Sequence, residues 1–276
     1  GIFELGKINK MNEKEFGSGY FGEWIEDEFG LPAYRYTCDQ INDPKAITPM
    51  NEEWRSKTEH LHQVGNDRLV AVASNYGYIQ VRQDEGGPKY LNEFDPKQGQ
   101  YAGGFGYLTD GDNFLSTYHP GNADSFERIF GIGYLQKKVI GHGYNVNQII
   151  FAPFGDNPIL ISQITITNNR DMPKDLRWIE YWGCYMYQFS LSAFAALLSE
   201  KLGKHPREVR HELSNKFKHE FSAINNGAGL LEKRFLENQK EVYDPANLKP
   251  AYEDRFPPPT FLISLDSKAS ALSTNS

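Results

Sequence analysis

The sequence predicts an all-β protein: one large antiparallel sandwich carrying a short helical insertion. Three observations predict it. Four strand-like runs follow one another between residues 126 and 189, each closed by a turn signal. In Ile159, Ile161, Ile164 and Ile166 the β-branched residues dominate, and Gln163, Thr165 and Thr167 alternate against them. Aromatics reach 14%, with 18 Phe and 16 Tyr, types suited to pleated sheets and to stacking on planar or sugar-ring ligands. The 276 residues have room for one large β domain, and 39% hydrophobic residues give it a sizeable core.

The elements follow in order. Residues 1–67 read as short strands and loops, broken by Gly30, Pro32, Pro44 and Pro49. Residues 68–189 read as the main meander. Arg68 to Ala73 and Tyr78 to Arg82 flank the turn Ser74-Asn75-Tyr76-Gly77. Gly103 to Leu108 leads through Thr109-Asp110-Gly111-Asp112 to Asn113-Phe114-Leu115-Ser116, since an Asp-Gly pair tolerates positive φ. The four runs are then Glu127 to Ile140, Tyr144 to Ala152, Ile159 to Thr167 and Asp175 to Gln188. Strands this long imply a broad sandwich rather than a small barrel.

Residues 190–225 read as the helical insertion. Leu191, Phe194, Ala195, Leu198 and Leu202 share one helix face, and Gly203 is suited to end it. Pro206 is suited to start a second helix, with Val209, Leu213, Phe217 and Phe221 recurring every four residues. Residues 226–276 return to strands at Leu230 to Leu236 and Phe261 to Leu265, separated by a proline-rich loop.

Charge narrows the function. The formal net charge is −7, which argues against a general nucleic-acid or anionic-membrane binder. No apolar run approaches the roughly 20 residues of a membrane span, and Gly1 to Lys7 lacks the apolar segment of a signal peptide. A cytoplasmic location is expected. The chain opens on Gly1, and both ends read as cuts. Cys38 and Cys184 lack a CxxC spacing. Two free thiols are expected, with one long-range disulfide as the open alternative.

Four motifs carry candidate chemistry. His60 and His62 share a strand face and have the geometry to meet one metal, with Glu59 and Asp67 nearby; the plainer reading is two exposed histidines, and no metal site is expected. Asp110, Asp112, Tyr118 and His119 cluster after a tight turn. Carboxylates accept sugar hydroxyls and aromatic faces stack on the C–H side of a sugar ring, so these four are the candidate substrate contacts. Trp178, Glu180 and Trp182 share one strand face and are weaker candidates. A glutamate between two tryptophans is either exposed or buried with a raised pKa and a partner; sheet packing, with an arginine as partner, is the plainer reading. The run Gly103-Gly104-Phe105-Gly106 lacks the strand-then-helix setting of a phosphate loop.

The order of several strings resembles a known family. Gly111-Asp112-Asn113-Phe114, Pro120-Gly121, Gly131-Ile132-Gly133-Tyr134, Phe151-Ala152-Pro153, Ile164-Thr165-Ile166-Thr167-Asn168 and Leu176 to Trp182 occur in that order. This looks like the N-terminal domain of the cellobiose and chitobiose phosphorylases, glycoside hydrolase family 94 in the broad sense. The likeness is strongest over residues 68–182, and Phe130 stands where that family often has a histidine.

The resemblance implies a β-supersandwich related to galactose mutarotase, packed on an (α/α)6 barrel that follows it in the same protein. In that family the barrel carries the aspartate general acid and binds the phosphate that attacks the anomeric carbon with inversion. No catalytic residue is therefore carried over to this chain. The implied function is the non-catalytic sandwich of an inverting glycoside phosphorylase acting on β-linked glucosides. Inorganic phosphate would be the parent enzyme's co-substrate, with no other cofactor. Expected partners are an oligo- or disaccharide, the barrel, and a second copy in a homodimer. Two alternatives stand beside it: a free-standing carbohydrate-binding sandwich, and a mutarotase-like aldose epimerase using His119 and Glu180.

Overall fold

The computed structural model describes residues 22–36, 60–83, 89–96, 99–118, 123–184, 187–188, 203–204, 217–236, 258–266 and 269–274. These form nineteen strands. The first eight are β1 (Gly22–Glu26), β2 (Pro32–Tyr36), β3 (Leu61–Gly65), β4 (Leu69–Ser74), β5 (Ile79–Gln83), β6 (Lys89–Tyr90), β7 (Phe94–Asp95) and β8 (Gln100–Tyr101). Then come β9 (Gly103–Thr109), β10 (Phe114–Ser116), β11 (Ser125–Gly131), β12 (Tyr134–Gly141), β13 (Tyr144–Phe151), β14 (Ile161–Asn168) and β15 (Arg177–Trp182). The last four are β16 (Tyr187–Gln188), β17 (Phe217–Ile224), β18 (Gly229–Leu236) and β19 (Thr260–Ile263).

The fold is all-β and sandwich-like, as the sequence predicts. One layer is a six-stranded sheet in the order β1-β2-β11-β12-β13-β14. Facing it are a three-stranded sheet, β10-β9-β15, and a five-stranded sheet, β16-β6-β5-β4-β3. A second three-stranded sheet, β17-β18-β19, and the short β7-β8 ribbon complete the described strands. Every pairing among them is antiparallel.

Alternation decides which side chains enter the core. On β13, Tyr144, Val146, Gln148 and Ile150 are buried while their neighbours are only half-covered. Leu135 and Ile150 pack on Val64, Leu69, Ala71, Ala73, Ile79 and Val81 of the five-stranded sheet. Val139, Tyr144 and Val146 pack on Leu108 and Leu115 of the three-stranded sheet. Burying each such aliphatic side chain contributes roughly 1.5–3 kcal/mol, so these two clusters are what clamps the layers together.

Three boundaries differ from the sequence reading. The single run Glu127 to Ile140 is a hairpin, β11 and β12, turning at Ile132-Gly133 with Gly133 at φ +82°. The single run Asp175 to Gln188 splits into β15 and β16, which belong to different sheets. The second helix of the 191–221 insertion does not reach Phe221, because Phe217–Ile224 is strand β17, paired along its length with β18. A four-residue repeat is a multiple of two and fits one face of a strand as well as a helix. Gly203 forms a turn at φ +64°; Leu191 to Leu202 and Pro206 to Leu213 lie outside the described residues.

Candidate functional site

The three-stranded sheet β10-β9-β15 carries most of the predicted site residues, and its two faces differ. Trp178 sits opposite Leu108, and Glu180 opposite Gly106, so this parity points toward the six-stranded sheet. Tyr181 sits opposite Phe105 and Ile179 opposite Tyr107, on the outward parity. Trp178, Glu180 and Trp182 therefore share a face, as their spacing predicts.

Facing Glu180 is a row that crosses the six-stranded sheet. Tyr36, Arg128, Lys137, Gln148 and Ile164 are successive register partners on β2, β11, β12, β13 and β14. Tyr36, Arg128, Lys137 and Gln148 are all buried. Lys137 Nζ donates to Gly77 O at 2.7 Å and Gly104 O at 2.6 Å, bridging the five- and three-stranded sheets. Burial disfavours its charged form and pushes its pKa down to about 7, against an opposing pull from Glu180. Arg128 donates to Asn75 O and lies over the rings of Tyr36 (4.9 Å) and Phe126 (5.1 Å). Asn75 in turn donates to Tyr36 Oη at 3.0 Å and accepts from the His60 backbone at 2.8 Å.

Glu180 is part-buried, and its partners are indoles rather than the arginine expected. Trp178 Nε1 donates to Oε2 at 2.8 Å, and Trp182 Nε1 to Oε1 at 3.0 Å. Gln148 Nε2 adds a longer contact at 3.4 Å, and the Ser162 hydroxyl also bonds the carboxylate. Burial pushes its pKa up, with the indoles, Ser162 and Lys137 opposing. The glycine-rich run finds its reason here: a Cβ on Gly106 would stand 2.3 Å from the Trp178 ring, and one on Gly104 2.9 Å from Ile79. The glycines make room for side chains of the core, and no phosphate-loop setting surrounds them.

The hairpin β9–β10 separates the other candidates. Asp110 lies in the tight turn, with Gly111 at φ +93°. Its side chain is fully covered. Oδ2 accepts from Tyr144 Oη at 2.8 Å and Arg170 Nη1 at 3.0 Å, while Oδ1 accepts from the backbone of Asp112 and Asn113 at 3.0 and 2.8 Å. The Tyr144 hydroxyl, first among these, holds the Asp110 carboxyl far below the usual carboxylate range. Both oxygens are occupied by the fold, so Asp110 is a turn lock. Asp112 is exposed, 3.7 Å from Lys174. Tyr118 emerges at the other end of the hairpin, level with Phe105, about 15 Å away at 3.3 Å per strand residue. His119 lies outside the described residues.

Tyr118 joins a constellation that the sequence reading missed. Its ring is 4.7 Å from Phe105, which is 5.0 Å from Tyr181 and 6.1 Å from Tyr107. Phe105 is buried, while Tyr107, Tyr118 and Tyr181 are half-buried and Tyr101 is exposed. Burial, then the proximity of the Tyr101 and Tyr107 phenols, raises the pKa of both Tyr118 and Tyr181. Three phenols thus surround one buried ring, and that of Tyr101 stands near Tyr118 and Tyr181. Parity alone would have put Phe105, Tyr107 and Tyr181 together; Tyr101 arrives from the separate β7–β8 ribbon.

The remaining motif residues are structural in their contacts. His60 is part-buried beside Tyr36 at 5.6 Å. His62 stacks on Phe130 at 5.1 Å and donates through Nε2 to Gly131 O at 2.8 Å. Neither is the exposed histidine of the plainer reading. Among the described residues no group of three His, Cys, Asp or Glu side chains is placed to hold a metal. Cys184 is a free thiol whose pKa burial pushes up to about 12; Cys38 lies outside the described residues. Among them, too, no helix is long and apolar enough to cross a membrane. Comparison with known proteins finds no matching family model and no matching curated protein.

Proposed function

We propose that this chain is the non-catalytic β-sandwich of a carbohydrate-active enzyme, an inverting phosphorylase of β-linked glucosides, and that its outward tyrosine face contacts sugar. The observation that carries this reading is the gathering of Tyr107, Tyr118 and Tyr181 around Phe105, with the Tyr101 phenol beside Tyr118 and Tyr181. A phenol is protonated at neutral pH, and burial pushes the pKa of Tyr107, Tyr118 and Tyr181 further up still, so they serve as uncharged hydrogen-bond donors and acceptors. Uncharged hydroxyls beside ring carbons complement a neutral polyhydroxyl ligand better than a phosphate or a metal ion.

In this reading the bond-breaking acid belongs to the barrel expected after the sandwich. Inversion needs one carboxylic acid on the leaving oxygen and a nucleophile entering from the opposite face. Phosphate brings its own charge and requires cationic donors. Arg128 and Lys137 are buried and bonded to backbone carbonyls, so they are spent on structure.

Titrating the chain with cellobiose and cellotetraose, read by aromatic-region NMR, tests the proposal. Saturable shifts confined to the four tyrosines are expected. Tyr118→Ala should weaken cellotetraose binding at least about fivefold, the equivalent of one lost aromatic contact of about 1 kcal/mol. Absence of any saturable shift would overturn the reading.

A further inference from the structure

We propose that Lys137 and Arg128 are positioning groups for the tyrosine face: from inside the sandwich they hold the Asn75 and Gly77 carbonyls, whose neighbours Tyr76 and Tyr78 pack in the aromatic cluster of Tyr118. The inference rests on the sugar-contact reading only for its functional meaning.

The geometry runs in three steps. Arg128 donates to Asn75 O and Lys137 to Gly77 O. The residues next to these carbonyls are Tyr76 and Tyr78, and both belong to the aromatic cluster of Phe105, Phe94, Tyr107, Tyr118 and Tyr181. Tyr78 stacks on Phe94 at 3.9 Å, and Phe94 lies 6.5 Å from Tyr118. The backbone is equally close: a Cβ on Gly77, at φ +91°, would stand 2.7 Å from Tyr118 O. Lys137 also holds Gly104 O, one residue before the Phe105 floor. One ammonium therefore fixes the floor and the flank of the same ring cluster.

A buried cation is costly to keep in a core. Hydrophobic residues of similar size would pack the layers without that cost, but they cannot grip a carbonyl. The grip is what the two cations add. The charged groups facing Lys137 are Glu180 from β15 and Arg128 from β11; the turn and β9 present backbone carbonyls. Losing the Lys137 proton removes one donor and weakens its attraction to Glu180, so turn and floor are expected to respond to pH around 7.

The experiment follows the ring resonances of Tyr76, Tyr78 and Tyr118 in the wild-type chain and in Lys137→Met across pH 6–9, without sugar and with cellotetraose. Expected are wild-type shifts titrating together near pH 7, their absence in Lys137→Met, and cellotetraose binding at least about threefold weaker in the variant. Should the variant not fold, the wild-type profile decides alone. Resonances flat through that range, or a folded variant with wild-type resonances, would overturn the positioning role. If the rings titrate but cellotetraose never binds, the positioning role stands and the sugar reading fails; binding with unmoved rings gives the reverse.

Discussion

The two faces of the β10-β9-β15 sheet are built from the same strands and solve opposite problems. The inward face alternates glycine with tryptophan and pairs its polar groups closely: two indoles on the Glu180 carboxylate, and the Lys137 ammonium of β12 on the Gly104 carbonyl. The outward face is a row of tyrosines around Phe105, with Tyr101 and Ile179 exposed at 42% and 46%. The contrast teaches that one sheet can turn paired charge to one side and uncharged hydroxyls to the other. Lys137 and Glu180 are internal struts, while around Phe105 uncharged hydroxyls meet solvent, with Arg177 exposed at the end of the same outward row.

That contrast is broken most easily from the inside. Gly106→Ala pushes a methyl into the Trp178 ring and the Ile179 carbonyl, and a loss of about 1–3 kcal/mol is expected in urea unfolding. An alanine that leaves stability unchanged would show the inward face to be loosely packed.

Glu180→Gln replaces one acceptor oxygen by a donor facing an indole N–H, and about 1–2 kcal/mol should be lost at neutral pH. Its pH signature is sharper. Burial raises the folded pKa of Glu180, so the wild type gains from protonation at low pH and loses that gain as pH rises through the raised value. Lys137 has the opposite sign. Its folded pKa falls from 10.5 to about 7, so stability rises with pH across that window. The stability difference between wild type and Glu180→Gln should therefore shrink as pH climbs above 4.5. A difference independent of pH would place the carboxylate in water.

The smallest effect belongs to the turn. Asp110 is held far below its ordinary pKa of 3.8, so its contribution is present above that pH and lost as pH falls beneath it. Asp110→Asn should flatten the acid limb of a circular-dichroism titration, while exposed Asp112→Ala leaves it unchanged. Identical acid limbs for wild type and Asp110→Asn would refute the turn lock.

The strands of the meander were legible because alternation and glycine punctuation agree. β14 alternates half-buried Ile164 and Ile166 with exposed Gln163, Thr165 and Thr167, as the sequence implies. The turn at Ile132-Gly133 was masked by β-type residues on both sides, although two glycines flank Ile132. Lys137 is the instructive miss. It shares parity with Leu135 and Val139, which places it inside, yet lysine is so rarely buried that composition argues the other way. Asp110 and Tyr118 stand apart for a geometric reason. Eight residues across a tight turn bring strands side by side, and they put the turn and the returning end far apart.

The cross-strand row Arg128–Lys137–Gln148 has a consequence for how the sheet finds its pairing. Sliding β12 by two residues would keep its inward parity but bring Leu135 or Val139 to the place of Lys137, leaving the Gly77 and Gly104 carbonyls with no ammonium to meet. Greasy side chains alone tolerate such slippage; a single lysine with two fixed acceptors does not. The row acts as a key cut for one alignment, so proofreading of the pairing is written into the middle of the barrier between layers.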